Sequence, residues 1–236
     1  MNNTFIFPHS VPPKYADLRL ENVTFGYPDQ EPLFENVNLN VNASSRIAIL
    51  GANGIGKSTL LNVLYGTITP TLGQVTKDQR LRLAKYNQHN YDQLNYAQSG
   101  VEYLTNKHHL SRQNAHRMLG IFGLPSRVHR SYIHQLSGGE KAKVCLADVA
   151  CSNPSIMLLD EPTANLDVFS VESLVEAINK FRGGLVLITH DQMLLSDTNC
   201  KLFVLDNKQL KEFHGNIHDY REMILSEIRA QESDFV

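Results

Sequence analysis

The stretch Gly51-Ala-Asn-Gly-Ile-Gly-Lys57-Ser58-Thr59 constrains this chain more than any other. It fits the spacing G-x-x-x-x-G-K-[ST], follows the apolar run Ile47-Ala-Ile-Leu50 and precedes the helical run Leu60 to Leu64. The pattern therefore predicts a buried strand, a glycine-rich turn and a helix, in that order. Glycines let successive backbone N–H groups converge at a helix N-terminus, where the dipole end is positive. Such a turn is built to hold a polyphosphate. Gly51, Ala52, Asn53, Gly54, Ile55, Gly56 and Thr59 form the cradle, Lys57 reaches the β and γ phosphates, and the Ser58 hydroxyl can ligate Mg²⁺.

The surrounding pattern agrees with that order of elements. Leu18-Leu20-Val23-Phe25 and Leu33-Val37-Leu39-Val41 alternate as half-buried antiparallel strands do. Ile47 to Leu50, Ile156 to Leu159 and Leu185 to Ile188 are instead apolar throughout, as in strands covered on both faces of a mainly parallel sheet. Val171, Leu174, Val175 and Ile178 have helical spacing after a candidate N-cap, Asp167. The fold class is α/β: a mainly parallel sheet with flanking helices and N-terminal antiparallel strands. From about Tyr91 to Gln135 the chain is polar, with helical spacing at Ala115, Met118, Leu119 and Phe122, and reads as an inserted helical subdomain. Ile217, Tyr220, Ile224, Leu225 and Ile228 form one face of a terminal helix. Pro8, Pro12 and Pro13 mark an extended linker at the start.

Further chemistry follows the second apolar run. Ser155-Ile-Met-Leu-Leu-Asp160-Glu161 places two carboxylates at a strand end. Asp160 is suited to hold Mg²⁺ through water and Glu161 to polarise the attacking water as general base. Alone, an Asp-Glu pair there is more simply solvated loop charge; the phosphate-binding turn in the same chain gives it chemical weight. In Leu136-Ser137-Gly138-Gly139-Glu140, Ser137 and Glu140 have the spacing of a capping box at the start of a helix through Val144 and Leu146. A capped helix tip also presents free N–H groups, so the structural and anion-binding readings coexist.

The string Leu-Ser137-Gly138-Gly139-Glu140, about twenty residues before Asp160, resembles the signature of ABC ATPases, a P-loop NTPase family. The remaining motifs fall in that family's order. Tyr27, in Phe-Gly-Tyr27-Pro, resembles the aromatic residue that stacks on adenine, a core tyrosine being the plainer alternative. Gln88 matches the glutamine near Mg²⁺ and water, Pro162 to Asp167 the D-loop, and His190 the switch histidine that would bond the γ-phosphate or attacking water. Phe5-Ile-Phe-Pro8, Ser45-Arg46, Tyr86-Asn-Gln88-His89, Val101-Glu102-Tyr103-Leu104, Phe181-Arg-Gly183-Gly184 and Phe213-His-Gly215 resemble, further, the second ABC domain of eukaryotic translational-activator-type ABC-F proteins. Two departures stand in the interface loops: Ala164-Asn165 where that family usually has Asn-His, and Asp191-Gln192 where it often has Asp-Arg.

This resemblance implies an ATPase with ATP and Mg²⁺, catalytic Glu161, His190, Gln88 and Lys57, and Mg²⁺ held near Ser58, Gln88 and Asp160. Its nucleotide would be covered by Ser137, Gly138, Gly139 and Glu140 of a second ABC domain of the same polypeptide. It further implies a ribosome and translation regulators as partners, cytoplasmic localisation, and only weak self-association of the isolated domain. Residues 1–15 would be the tail of an inter-domain linker and 16–236 the ABC domain, with a helical subdomain over about 91–152 and a terminal helix over about 216–232.

Composition limits the alternatives. A net charge of −2 gives no global basic field for nucleic acid. Cys145, Cys151 and Cys200 lack C-x-x-C spacing, which argues against a disulfide framework or a zinc site. No apolar run approaches the roughly 20 residues of a membrane helix. The motor domain of an ABC membrane transporter stays open as the alternative; a DNA-maintenance ATPase would need a coiled-coil insertion for which about 48 residues between Gln88 and Leu136 leave no room. A P-loop kinase would leave the Ser137 to Glu140 string without a role.

Overall fold

The computed structural model describes residues 5–8, 16–87 and 94–233. Gln88, His89, Tyr91, Pro12 and Pro13 thus lie outside the described residues. Strands β1 (Asp17–Phe25), β2 (Phe34–Asn42) and β4 (Leu72–Lys77) form an antiparallel sheet in the order β2-β1-β4. The other strands, β3 (Arg46–Leu50), β5 (Leu83–Tyr86), β6 (Ile156–Asp160), β7 (Gly184–Ile188), β8 (Lys201–Asp206) and β9 (Gln209–Phe213), make a second sheet ordered β5-β6-β7-β3-β8-β9. Only the β8/β9 pair is antiparallel there.

Side-chain alternation explains why the central strands are apolar throughout. Ile47, Ile49, Ile156, Leu158, Val186 and Ile188 point into one core, shared with the antiparallel sheet and helix α1 (Lys57–Tyr65). Met157, Leu159, Leu185 and Leu187 point into the other, shared with α2 (Gly100–His108), α3 (Arg112–Ile121), α4 (Gly138–Cys151) and α5 (Val168–Lys180). Successive strand residues face opposite sides, so a sheet covered on both faces leaves no polar position. In β1 and β2 the apolar phase slips, from Leu20 to Val23 and from Phe34 to Val37, where the strand register shifts. Asn22 and Asn36, both at positive φ, occupy those slips, and one extra residue in a strand reverses its facing.

Helices α2, α3 and α4 lie between β5 and β6 in sequence. Helices α6 (Gln192–Asp197) and α7 (Ile217–Ser233) close the chain. Ile217 and Leu195 pack with Ala48 and Leu50 on the face of β3 turned away from the core that holds Ile47 and Ile49. No helix among the described residues is long and apolar enough to cross a membrane. The three cysteines are free, with Cys145 buried and its thiol pushed up to about 12 by burial.

Candidate nucleotide site

Strands β3, β7 and β6 are neighbours, and the residues that follow them gather at their carboxyl ends, where open α/β sheets place their ligands. The glycine-rich turn leaves β3 at Gly51. A side chain there would meet the Leu205 carbonyl oxygen at 2.5 Å, and φ is +145°, so only glycine fits. Gly54 has open space before it, and Ala52, Asn53 and Ser58 are exposed. Helix α1 has no side-chain cap, which leaves its first amides for a ligand. Lys57 bends back into the turn, its Nζ donating to the carbonyls of Gly51 at 2.8 Å and Ala52 at 2.9 Å. Burial pulls its ammonium below the ordinary lysine value, while Glu161 and Asp160 oppose that fall. The loop is thus closed around a cation, an arrangement that fits a phosphate chain.

Asp160 ends β6 and is buried; Glu161 turns away immediately after it. Glu161 holds φ at +48°, an uncommon backbone for a residue with a Cβ, and its N–H donates to the Ile188 carbonyl of β7 at 2.8 Å. That kink carries the carboxylate across to the residues after β7. His190 Nε2 lies 3.6 Å from Glu161 Oε1, and the His190 N–H faces Oε2 at 3.4 Å. Burial raises the Glu161 carboxyl above the ordinary glutamate value, with Asp160 adding to the rise and His190 and Lys57 reducing it. Asp160 and Ser58 offer hard oxygen donors, which suit a cation that keeps waters and phosphate oxygens in its shell. Among the described residues no cluster of three or more His, Cys, Asp or Glu forms a metal cage.

Tyr27 is exposed, and its hydroxyl lies 3.4 Å from Thr59 Oγ1 on α1, with Phe25 edge-on behind its ring. It is a surface aromatic beside the phosphate turn and not a core tyrosine. The structure therefore brings Tyr27, the turn, Asp160, Glu161 and His190 around one face.

The Ser137 region is placed separately. Ser137 caps α4, its Oγ accepting from Glu140 N–H at 3.3 Å while Glu140 Oε2 accepts from Ser137 N–H at 2.9 Å. Helix geometry leaves the Gly138 and Gly139 amides without intrahelical partners, and Ser137 and Gly138 are exposed. The tip leans on the D-loop of its own chain: a Cβ at Gly139 would stand 2.8 Å from the Asn165 carbonyl oxygen. Lys143 Nζ reaches Asp167 Oδ2 at 3.2 Å, and Asp167 in turn caps α5 through the Ser170 N–H. Sequence reasoning places Asn165 in the D-loop, as a departure from the usual residues there, but gives Lys143 no role. The signal for Lys143 is its offset of one helical turn from Gly139 on α4, legible only once α4 and the D-loop are known to touch.

Residues 34–164 match the family model described as ABC transporter. Among curated proteins the chain is 39% identical over 238 residues to ABC transporter F family member 4 of Arabidopsis thaliana, covering 96% of this chain and 33% of that protein. It is 35% identical to Protein GCN20 of Saccharomyces cerevisiae, covering 90% of this chain and 28% of that one. To ATP-binding cassette sub-family F member 2 of Mus musculus it is 33% identical, covering 97% and 37% respectively. The chain spans about a third of the length of these relatives. Among solved structures it resembles the dimeric post-hydrolysis state of the ATP-binding cassette MJ0796 bound to ADP and Pi, with TM-score 0.72, 26% identity, and 84% of this chain and 99% of that one covered.

Proposed function

Because this chain belongs to the ABC transporter family, as an ATPase domain of the F type, we propose that it binds Mg-ATP and hydrolyses it in a site completed by a second ABC domain. Tyr27 stacks on the base, and residues 51–59 hold the triphosphate. Ser58, Asp160 and, outside the described residues, Gln88 would hold Mg²⁺, which would supply Lewis-acid stabilisation of the phosphate charge. Glu161 takes a proton as water oxygen attacks the γ-phosphorus and the bridging P–O bond to ADP breaks. His190, beside Glu161, bonds the γ-phosphate or that water. The Ser137-Gly138-Gly139-Glu140 tip covers the γ-phosphate held by the other domain.

The single observation behind the trans arrangement is the separation of the parts. Lys57, Asp160, Glu161 and His190 meet at the ends of β3, β6 and β7, whereas the exposed tip of α4 rests on Asn165 and faces solvent. An exposed helix tip whose Gly138 and Gly139 amides have no intrahelical partner suits a phosphate brought by another domain.

In the whole protein this domain acts as the second of two ABC domains in a cytosolic factor that works on the ribosome. The likeness to F-family proteins supports that reading. The motor domain of a membrane transporter is the alternative, and one feature favours it: a cleft of about 290 Å³ between β5 and helices α2 and α4, lined by Tyr65, Lys85, Tyr103 and Asp148, which a partner element could enter. Sedimentation of the full-length Glu161→Gln protein with ribosomes separates the two. ATP-dependent co-migration is expected; migration free of ribosomes in both conditions favours the transporter reading.

A further inference from the structure

The segment Phe5-Ile-Phe-Pro8 has no regular secondary structure and takes no part in the nucleotide site, yet its two phenylalanines are buried. Phe5 is 0% and Phe7 4% exposed, while Ile6 between them is 50% exposed. This in-out-in alternation is that of an extended chain laid along a surface. Phe5 and Phe7 both pack on Phe122, with ring centroids at 5.0 and 5.5 Å, and Phe7 also meets Phe181 edge-on at 6.4 Å. Phe122 caps the C-terminus of α3 and Phe181 that of α5. Gly183 is bare beside the Phe181 ring, and any Cβ there would strike it.

Helix α5 therefore meets the helical segment at both of its ends. At its N-terminus Lys143 reaches Asp167 and Gly139 lies against Asn165, which fixes the α4 tip. At its C-terminus, about 20 Å away by helix rise, the Phe7 ring stands between the ends of α3 and α5. Two separated points set an orientation where one would leave a pivot. We propose that Phe7, seated beside Phe5 on Phe122, is a positioning residue: it straps α3 to α5 and so holds the helical segment at the angle that presents the Ser137 tip to the paired domain. The strap rests on the reading that this tip completes the partner's site.

The test uses the full chain with spin labels at R117C on α3 and E172C on α5, after C145A, C151A and C200A. Phe7→Ala should broaden the interlabel distance distribution and lower kcat about tenfold or more through misorientation, with KM and ATP affinity within about twofold of the parent. Phe7→Leu should recover most of both. A folded Phe7→Ala chain with an unchanged narrow distribution, or with unchanged kcat, overturns the strap. If Phe7→Ala does not fold, Phe7→Val is read in the same way. ATP binding by the labelled parent is measured first: its absence would refute the nucleotide reading, while the label distances would still judge the strap.

Discussion

Glu161 carries opposing influences on one proton. Burial and Asp160 favour the neutral acid; His190 and Lys57 favour the carboxylate, and the first pair prevails. A general base works only when ionised, so the acid limb of turnover should lie above the ordinary glutamate value of 4.5. Glu161→Gln should keep ATP binding and slow turnover by roughly 10²-fold or more, and single-turnover rates against pH should lose that limb. Stability carries the same sign. Between the ordinary and the raised value the folded chain holds a proton that the unfolded chain has lost, so folding stability falls as pH rises through that window. Across that window the melting temperature of Glu161→Gln should fall less, or rise more, with pH than that of the parent; identical slopes would place the raised pKa elsewhere. Lys57 makes a separate statement about the turn. Lys57→Ala removes the cation held by Gly51 and Ala52, and unchanged ATP affinity in that variant would remove the phosphate role from residues 51–59.

The glycines of the α4 tip act at the level of an element, because both face the same loop residue: a Cβ on Gly138 would make ordinary contact with the Asn165 side chain at 3.6 Å, whereas one on Gly139 would stand only 2.8 Å from the Asn165 carbonyl oxygen. Gly139→Ala should therefore tilt the tip and depress turnover while leaving the chain's own phosphate turn, and its ATP affinity, intact. If the tip serves the partner's site, mixing Gly139→Ala with Glu161→Gln chains restores turnover above either alone, since one composite site of a mixed pair keeps both sound parts. Turnover no higher than the sum of the separate chains would mean that tip and base act in the same domain. This tip, β3, β6 and β7 were legible in the sequence for physical reasons: a capping box belongs to a helix start, and short continuous apolar runs between turn residues belong to strands covered on both faces. Strand β4 was not legible, because Leu72-Gly-Gln-Val-Thr-Lys77 is largely exposed and has no buried position to show a period. Nor was the burial of Phe5 and Phe7, since two rings in a proline-rich start are too few to establish an alternation. Contacts between elements, Lys143 with Asp167 or Phe7 with Phe181, have no local pattern at all.

At the scale of the whole molecule the surface near the D-loop is unusual for a domain meant to stay alone. Val168 and Phe169, on the first turn of α5, are 65% and 78% exposed, within one helical turn of Asp167 and next to the loop that touches the α4 tip. Large apolar side chains gathered beside an exposed helix tip are costly in water and favourable once covered. Pairing through ATP would cover them, and burying a phenylalanine contributes about 1.5–3 kcal/mol. On the proposed function, hydrolysis would then act as the release, since cleaving the γ-phosphate would remove the one group held from both sides. Trapping the chain before hydrolysis should consequently reveal a pair that the parent forms only weakly. In sedimentation velocity, Glu161→Gln with Mg-ATP is expected to shift toward a dimer, and omission of ATP to abolish the shift. Adding Phe169→Ser should raise the concentration needed for pairing by about tenfold without altering nucleotide affinity. A Phe169→Ser variant that pairs as readily as its parent would place these two side chains outside the contact, and the covering of the nucleotide would then rest on the polar tip alone.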